Sequence, residues 1–266
     1  MPGIRELLSQ GQLAAALAEA TSAVKARPTD MQLRTTLFEL LCFAGEWERA
    51  EKQLEVIAHQ DAKTAIGVQA YHNNIRAERA RERLFTEGLK PHFLIAPPAY
   101  VALHLEALNR IREGSLPEAR ALLDRAEDER PALAGKIDGQ PFTDFRDVND
   151  LTGPVLEVIV QDNYTWVPFE QIRQIELREP KQLRDLLWMM ARIETEAVSG
   201  EVFIPALYAG SGRHADDQVR LGRVTAYRQL SDELYAAAGM RVFLVDDEEK
   251  ALPEVKVIEF APASES

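Results

Sequence analysis

The chain has 266 residues, 46% of them hydrophobic and 28% charged, with a net charge of −12. That apolar content builds a sizeable core and excludes wholesale disorder, and the length suits one large domain or two ordinary ones. The acidic balance argues against a nucleic-acid partner, because gripping a phosphate backbone relies on clustered Lys and Arg.

The start, "MPGIRELLSQGQLAAALAEA", has no basic segment followed by a continuous apolar run, so no signal peptide is expected. The chain lacks an uninterrupted apolar stretch long enough to span a bilayer. The single cysteine, Cys42, cannot form an internal disulfide and fits a reducing compartment. A cytoplasmic protein without a membrane partner is the expectation. Charge is unevenly placed: residues 1–135 hold 17 Lys and Arg against 19 Asp and Glu, and residues 136–266 hold 14 against 24.

The first predicted elements are copies of one helix. "GQLAAALAEATSAVKARP" (Gly11 to Pro28) reads again as "GEWERAEKQLEVIAHQD" from Gly45 and as "GSLPEARALLDRAEDERP" from Gly114 to Pro131. Gly11 and Gly45 are 34 residues apart and Gly114 lies 69 further on, close to two more periods. A period of 34 is the tetratricopeptide (TPR) value. Five residues after each glycine stands Ala16, Ala50 or Ala119, where a neighbouring helix must approach closely. Nine after stand Ala20, Leu54 and Leu123; twelve after stand Ala23, Ile57 and Ala126. Glycine permits the sharp turn between paired helices, and proline ends the second helix of a pair.

First helices of the pairs are predicted in "MQLRTTLFELLCFA" and "PAYVALHLEALNRIR". Between them, "TAIGVQAYHNNIRAERARERLFTEG" reads as one long helix ending at Gly88 and interrupting the array. Its arginine run, broken by Glu78 and Glu82, reads as a solvated helix face. "LKPHFLIAPP" reads as a connector.

After Pro131 the pattern changes. "KIDGQPFTDFRDVNDLTGP" is turn-rich, and short β-rich runs follow at 155–160, 164–169, 172–177, 191–198, 201–208, 223–227, 241–245 and 255–260. Strands at such spacing predict a compact antiparallel sheet or barrel. "PKQLRDLLW" and "LSDELYAAAG" read as short helices, and "DDEEK" as an exposed hairpin tip. The fold class is therefore α+β: an N-terminal TPR-like α-helical repeat domain over 1–135, then a compact antiparallel β-rich domain, acidic, over 136–266.

Catalytic chemistry is hard to find. His59, His72, His92, His104 and His214 form no zinc or triad spacing, and Cys42 falls on the apolar face of a helix. "YAGSGRH" (Tyr208 to His214) is neither a nucleophile elbow nor a phosphate loop and reads as a mobile loop. "DFRDVND" spaces Asp144, Asp147 and Asp150 by threes without the order of a calcium loop, so turn and capping chemistry is the preferred reading. A metal-dependent enzyme built on those three aspartates is the alternative, as is a TPR adaptor in a signalling or transcription pathway. No cofactor and no catalytic residue is expected.

The first helices of a TPR array line its concave groove. Here that face should present Gln32, Thr35, Glu39 and Phe43, then Val101, His104, Leu108 and Arg112. It lacks the Lys and Asn that clamp a terminal carboxylate, so an apolar helix or an internal segment is the expected occupant. Phe43, Val101, His104, Leu108 and Arg112 are the expected partner-binding residues.

Several segments together resemble the ImpE/TagJ family of bacterial type VI secretion accessory proteins. They are "HLEALNRIREGSLPEARALLDRAE", "GQPFTDFRDVNDLTGPVLEV", "YTWVPFEQIRQIEL", "LRDLLW", "VFIPALY" and "LGRVTAYRQL". They follow the family's order through roughly residues 90–230; Asn149 stands where the family favours an acidic residue. The resemblance implies a cytosolic, virulence-associated, non-enzymatic adaptor. Its partner would be the N-terminal helix of the small sheath subunit, with a link to the AAA+ ATPase that disassembles the sheath.

Overall fold

A computed structural model describes residues 2–60 and 65–261. Helices α1 (Ile4–Ser9), α2 (Leu13–Ala26), α3 (Met31–Phe43) and α4 (Trp47–Gln60) pack in sequence as two hairpins. The long α5 (Ala65–Glu87) follows, and α6 (Ala99–Glu113) with α7 (Leu116–Glu129) forms a third hairpin.

The three repeat glycines make the same turn. Gly11, Gly45 and Gly114 have φ of +72°, +67° and +80°, a region that a Cβ disfavours. In each turn the next residue donates its N–H back five positions: Gln12 to Leu7, Glu46 to Leu41 and Ser115 to Arg110, all at 2.9 Å. This is a Schellman cap, which satisfies a carbonyl left open at the helix end. Ala16, Ala50 and Ala119 are buried at the crossings, as the repeat pattern requires.

The second half contains β2 (Gly135–Ile137), β3 (Gln140–Phe142), β4 (Phe145–Asp147), β5 (Val155–Val160), β6 (Asn163–Pro168), β7 (Ile172–Leu177), β8 (Trp188–Thr195) and β9 (Ser199–Pro205). Short helix α8 (Asp217–Arg220) precedes β10 (Thr225–Ser231), β11 (Leu234–Gly239), β12 (Val242–Val245), β13 (Glu248–Ala251) and β14 (Val257–Phe260). The connector before α6 supplies β1 (His92–Phe93). Nine strands form one sheet in the order β1-β6-β5-β9-β8-β7-β14-β2-β3; only the β1–β6 pairing is parallel. β13-β12-β4 and the hairpin β10-β11 stand apart from it.

β5 and β6 are buried along almost their whole length, which explains their near-continuous apolar runs. The helices cover one side of this sheet. On the other, Phe142, Phe145, Phe169, Phe243 and Phe260 join it to the three-stranded sheet, with ring centroids 4.9–6.1 Å apart. One hydrophobic core runs from Leu7 in α1 to Phe260 in β14.

Contacts across 200 residues complete the first hairpin. Gln12, at the start of α2, makes no side-chain cap. Asp217 from α8 supplies it, accepting the Ala14 N–H at 2.8 Å. Arg223 donates to the Leu8 and Ser9 carbonyls at the end of α1.

Three local expectations are corrected. "LSDELYAAAG" is not a helix: its residues 234–239 are β11, paired in register with β10. The helix preference of three alanines loses to cross-strand pairing and to side chains that hold the outer strand edge. "PKQLRDLLW" makes only a 3-10 turn at Leu183–Leu186 before β8 begins at Trp188. The turn-rich 135–147 segment contains three short strands. "DDEEK" is the exposed hairpin tip expected: Asp246 turns with φ +52°, and residues 248–251 pair back on β12 as β13.

Candidate functional site

The concave face expected to receive a partner is filled by the chain itself. Phe43, Val101, His104 and Leu108 retain at most 3% of their surface. Arg112 is half-buried and tethered to Asn109 Oδ1 at 2.7 Å. These residues therefore pack the helix–sheet junction and offer no open groove, because β6 and the 183–188 segment lie against the helices. His104 meets Trp166 of β6 edge-on at 6.0 Å. Trp188 stacks on Tyr71 at 6.0 Å and Trp47 at 6.3 Å. Arg184 donates to the Tyr71 hydroxyl at 2.6 Å and to Glu39 at 2.7 Å. Of the eight groove positions, Gln32, Thr35 and Glu39 still border an open surface cleft beside Arg184.

Beneath this contact lies a buried charge network. Arg81 of α5 donates from Nε and Nη2 to both oxygens of Glu157 on β5, each at 2.8 Å, and pairs with Glu78 at 3.3 Å. Arg241, fully buried, bridges Glu157 and Asp147. Tyr208 donates to Asp147 at 2.7 Å, Trp166 to the Tyr164 hydroxyl at 2.6 Å, and Trp188 to Glu78 at 3.0 Å. Burial alone would raise the Glu157 carboxyl, but the charges of Arg81 and Arg241 outweigh it and hold it at about 2. For Glu78 and Asp147 burial prevails over their arginines and raises the pKa. The "RAERARERL" run is thus only partly a solvated face: Arg81 and Glu78 weld α5 to the sheet.

The aspartates of "DFRDVND" diverge. Asp144 takes a bidentate pair from Arg130 at 2.9 and 2.8 Å. Asp147 faces Arg241 and Tyr208 in the core. Asp150 accepts the Tyr235 N–H at 2.8 Å on the edge of β11, and burial raises its carboxyl. Among the described residues no three His, Cys, Asp or Glu side chains group as a metal site requires. The aspartate-cluster enzyme is set aside because its three carboxylates have separate protein partners. Cys42 is buried, and burial pushes its thiol well above the ordinary range.

The "YAGSGRH" loop is pinned, contrary to the expectation of mobility. Ser211, buried, donates to the Tyr208 carbonyl at 2.6 Å and accepts the Gly239 N–H at 2.8 Å. Asn149 accepts the Ala237 N–H at 3.2 Å. Asp150, Asn149 and Ser211 thus cap alternate N–H groups along the outer edge of β11. Between this hairpin, the loop and the end of α5 runs a cleft of about 430 Å³. Phe85, Leu151, Ala226, Ala236 and Ala238 supply apolar walls, and Arg213, His214 and Arg228 supply polar ones. Val224, Tyr227 and Tyr235 on the hairpin are 46%, 45% and 40% exposed, among the most exposed large apolar residues described. The sequence signal was present in "GSGRH" and "TAYRQL", but the helix expected at 230–239 hid their convergence.

The geometry defines a tetratricopeptide-type repeat protein whose array is closed by its own antiparallel sheet. Comparison with known proteins places it further. The sequence model described as ImpE protein matches residues 139–259, and a tetratricopeptide-repeat model matches residues 7–70. The type VI secretion system accessory component TagJ of Pseudomonas aeruginosa is 37% identical over 258 residues, 97% of this chain and 90% of that protein. The chain belongs to the ImpE family. A Vibrio parahaemolyticus protein of known crystal structure shares the fold, with a TM-score of 0.90 over 97% of both chains at 24% identity.

Proposed function

We propose that this protein is a non-enzymatic accessory component of a bacterial type VI secretion system, acting as an adaptor in the cytoplasm. In this reading it binds a helical segment at the N-terminus of the small subunit of the contractile sheath and assists the ATPase that disassembles the sheath. The observation that carries the reading is the kinship to TagJ along 97% of the chain, through both the repeats and the sheet. Among the described residues no helix is long and apolar enough to cross a membrane, which is compatible with that role. Because the sheet seals the inner face of the repeats, the partner segment docks on an outer surface.

Calorimetric titration with a peptide covering the N-terminal segment of the sheath small subunit tests the reading. A single helix on a shallow cleft buries a modest area, so a Kd on the order of micromolar is expected, about −8 kcal/mol. Absence of heat and of competition at high micromolar peptide overturns it.

A further inference from the structure

We propose that the cleft between the β10–β11 hairpin and the Tyr208–His214 loop is the docking surface for the partner segment, and that it selects a segment pairing carboxylates with small apolar side chains. This rests on the function proposed above and adds where and by what chemistry the partner is held. The argument begins with charge. Acidic residues outnumber basic ones by 43 to 31 along the chain, yet no Asp or Glu lines this cleft.

Its ionisable lining groups are all hydrogen-bond donors. Arg228 is exposed and makes no ion pair among the described residues. Arg213 shares its charge with Glu82 at 3.2 Å on the rim. His214 accepts the Asp216 N–H at Nδ1, so the neutral ring carries its proton on Nε2 as a further donor. The amide of Asn149 is already engaged at both ends, by Thr152 on one side and by Leu151 and Ala237 on the other. A carboxylate is the group that two guanidinium forks and an imidazole N–H recognise together.

Size and shape follow from the floor. Ala226 and Ala238 are cross-strand partners, as are Arg228 and Ala236, so one face of the hairpin carries three methyl groups and one guanidinium. Methyl groups let a backbone approach closely, and Phe85 supplies the opposite apolar wall. The volume falls within the roughly 300–1,000 Å³ of ordinary ligand clefts. The hairpin is held rigid from behind by the side-chain caps on β11, so the surface is formed before a partner arrives.

The probe is the N-terminal peptide of the sheath small subunit, used as the natural sequence and with its Asp and Glu changed to Asn and Gln. The full-length protein is compared with Arg228→Glu, Ala226→Leu and Lys25→Glu, the last on an exposed face of α2. Arg228→Glu should weaken the natural peptide at least about tenfold. It should leave the neutralised peptide, already weaker, nearly unchanged. Ala226→Leu should weaken both, and Lys25→Glu neither; equal thermal midpoints would show that all variants fold. Binding of the natural peptide unaffected by Arg228→Glu overturns the cleft while the sheath reading stands. No binding by the wild-type protein overturns both. A dimer of this chain that Arg228→Glu dissociates assigns the cleft to a second copy and also overturns the proposal.

Discussion

His104 gives the sharpest test of the helix–sheet junction, because its burial has a pH signature. Burial pushes the ring from 6.5 down to about 4; the backbone of Leu151 and the charge of Glu127 oppose this only in part. Its Nε2 has no hydrogen-bond partner among the described residues. The unfolded chain takes up a proton near pH 6.5 that the folded chain refuses until about pH 4. Stability from this residue is therefore fully present above pH 6.5 and lost as pH falls toward 4. The difference between 6.5 and about 4 corresponds to about 3.5 kcal/mol in full, of which about 3 kcal/mol is lost by pH 4, where the folded ring is half-protonated. His104→Phe keeps a ring against Trp166 and removes the titration. Urea unfolding of both proteins at pH 7, 5.5 and 4 reads the effect, and groups such as Glu157 cancel in the comparison. The variant should lose about 3 kcal/mol less than the wild type between pH 7 and pH 4. Parallel stability curves would mean that the ring is solvated in the folded state, and the sealed junction would then be wrong.

Other perturbations probe separate links. Arg241→Met leaves Asp147 and Glu157 buried without their shared counter-charge and should cost about 3–5 kcal/mol in urea unfolding at pH 7. Asp217→Ala removes the α2 cap supplied from the second half and should cost about 1 kcal/mol, with hydrogen exchange at the start of α2 rising most. Ala119→Leu forces a larger side chain into the α6–α7 crossing and should lower stability by about 1–3 kcal/mol, measured by the same unfolding assay.

The helical half was legible because its signals are local. A glycine turn and a buried alanine recur at fixed offsets, and both depend on neighbours within one hairpin. Strands β5 and β7 were legible to the residue because each is an apolar or alternating run between turns. β11 was not, because Leu234–Gly239 becomes a strand only through β10 and through the side chains of Asn149, Asp150 and Ser211. The burial of Phe43, Val101, His104 and Leu108 was hidden for the same reason. Val101 and Leu108 look like the inner face of an open array, and no local pattern reveals that Trp166 arrives against α6, and Trp188 against α4 and α5, from the second half.

The packing of the sheet against the helices also explains why the repeated helix stops after a few copies. A helical pair cannot bury its apolar face alone, and an array needs a cap where the next pair would stack. Here the nine-stranded sheet is that cap. It meets α5 and α6 through tryptophans and a charge network whose members come from both halves, so neither half buries its apolar face without the other. The first hairpin makes the same point at the opposite end, since the helix ends of α1 and α2 are completed by Arg223 and Asp217. A chain built this way gives up the concave groove that repeat proteins use for binding. Under the adaptor reading proposed above, recognition falls to surfaces that the sheet half contributes. Among these, the hairpin cleft combines exposed aromatic area, an alanine floor and an arginine without an ion pair among the described residues, in an otherwise acidic protein.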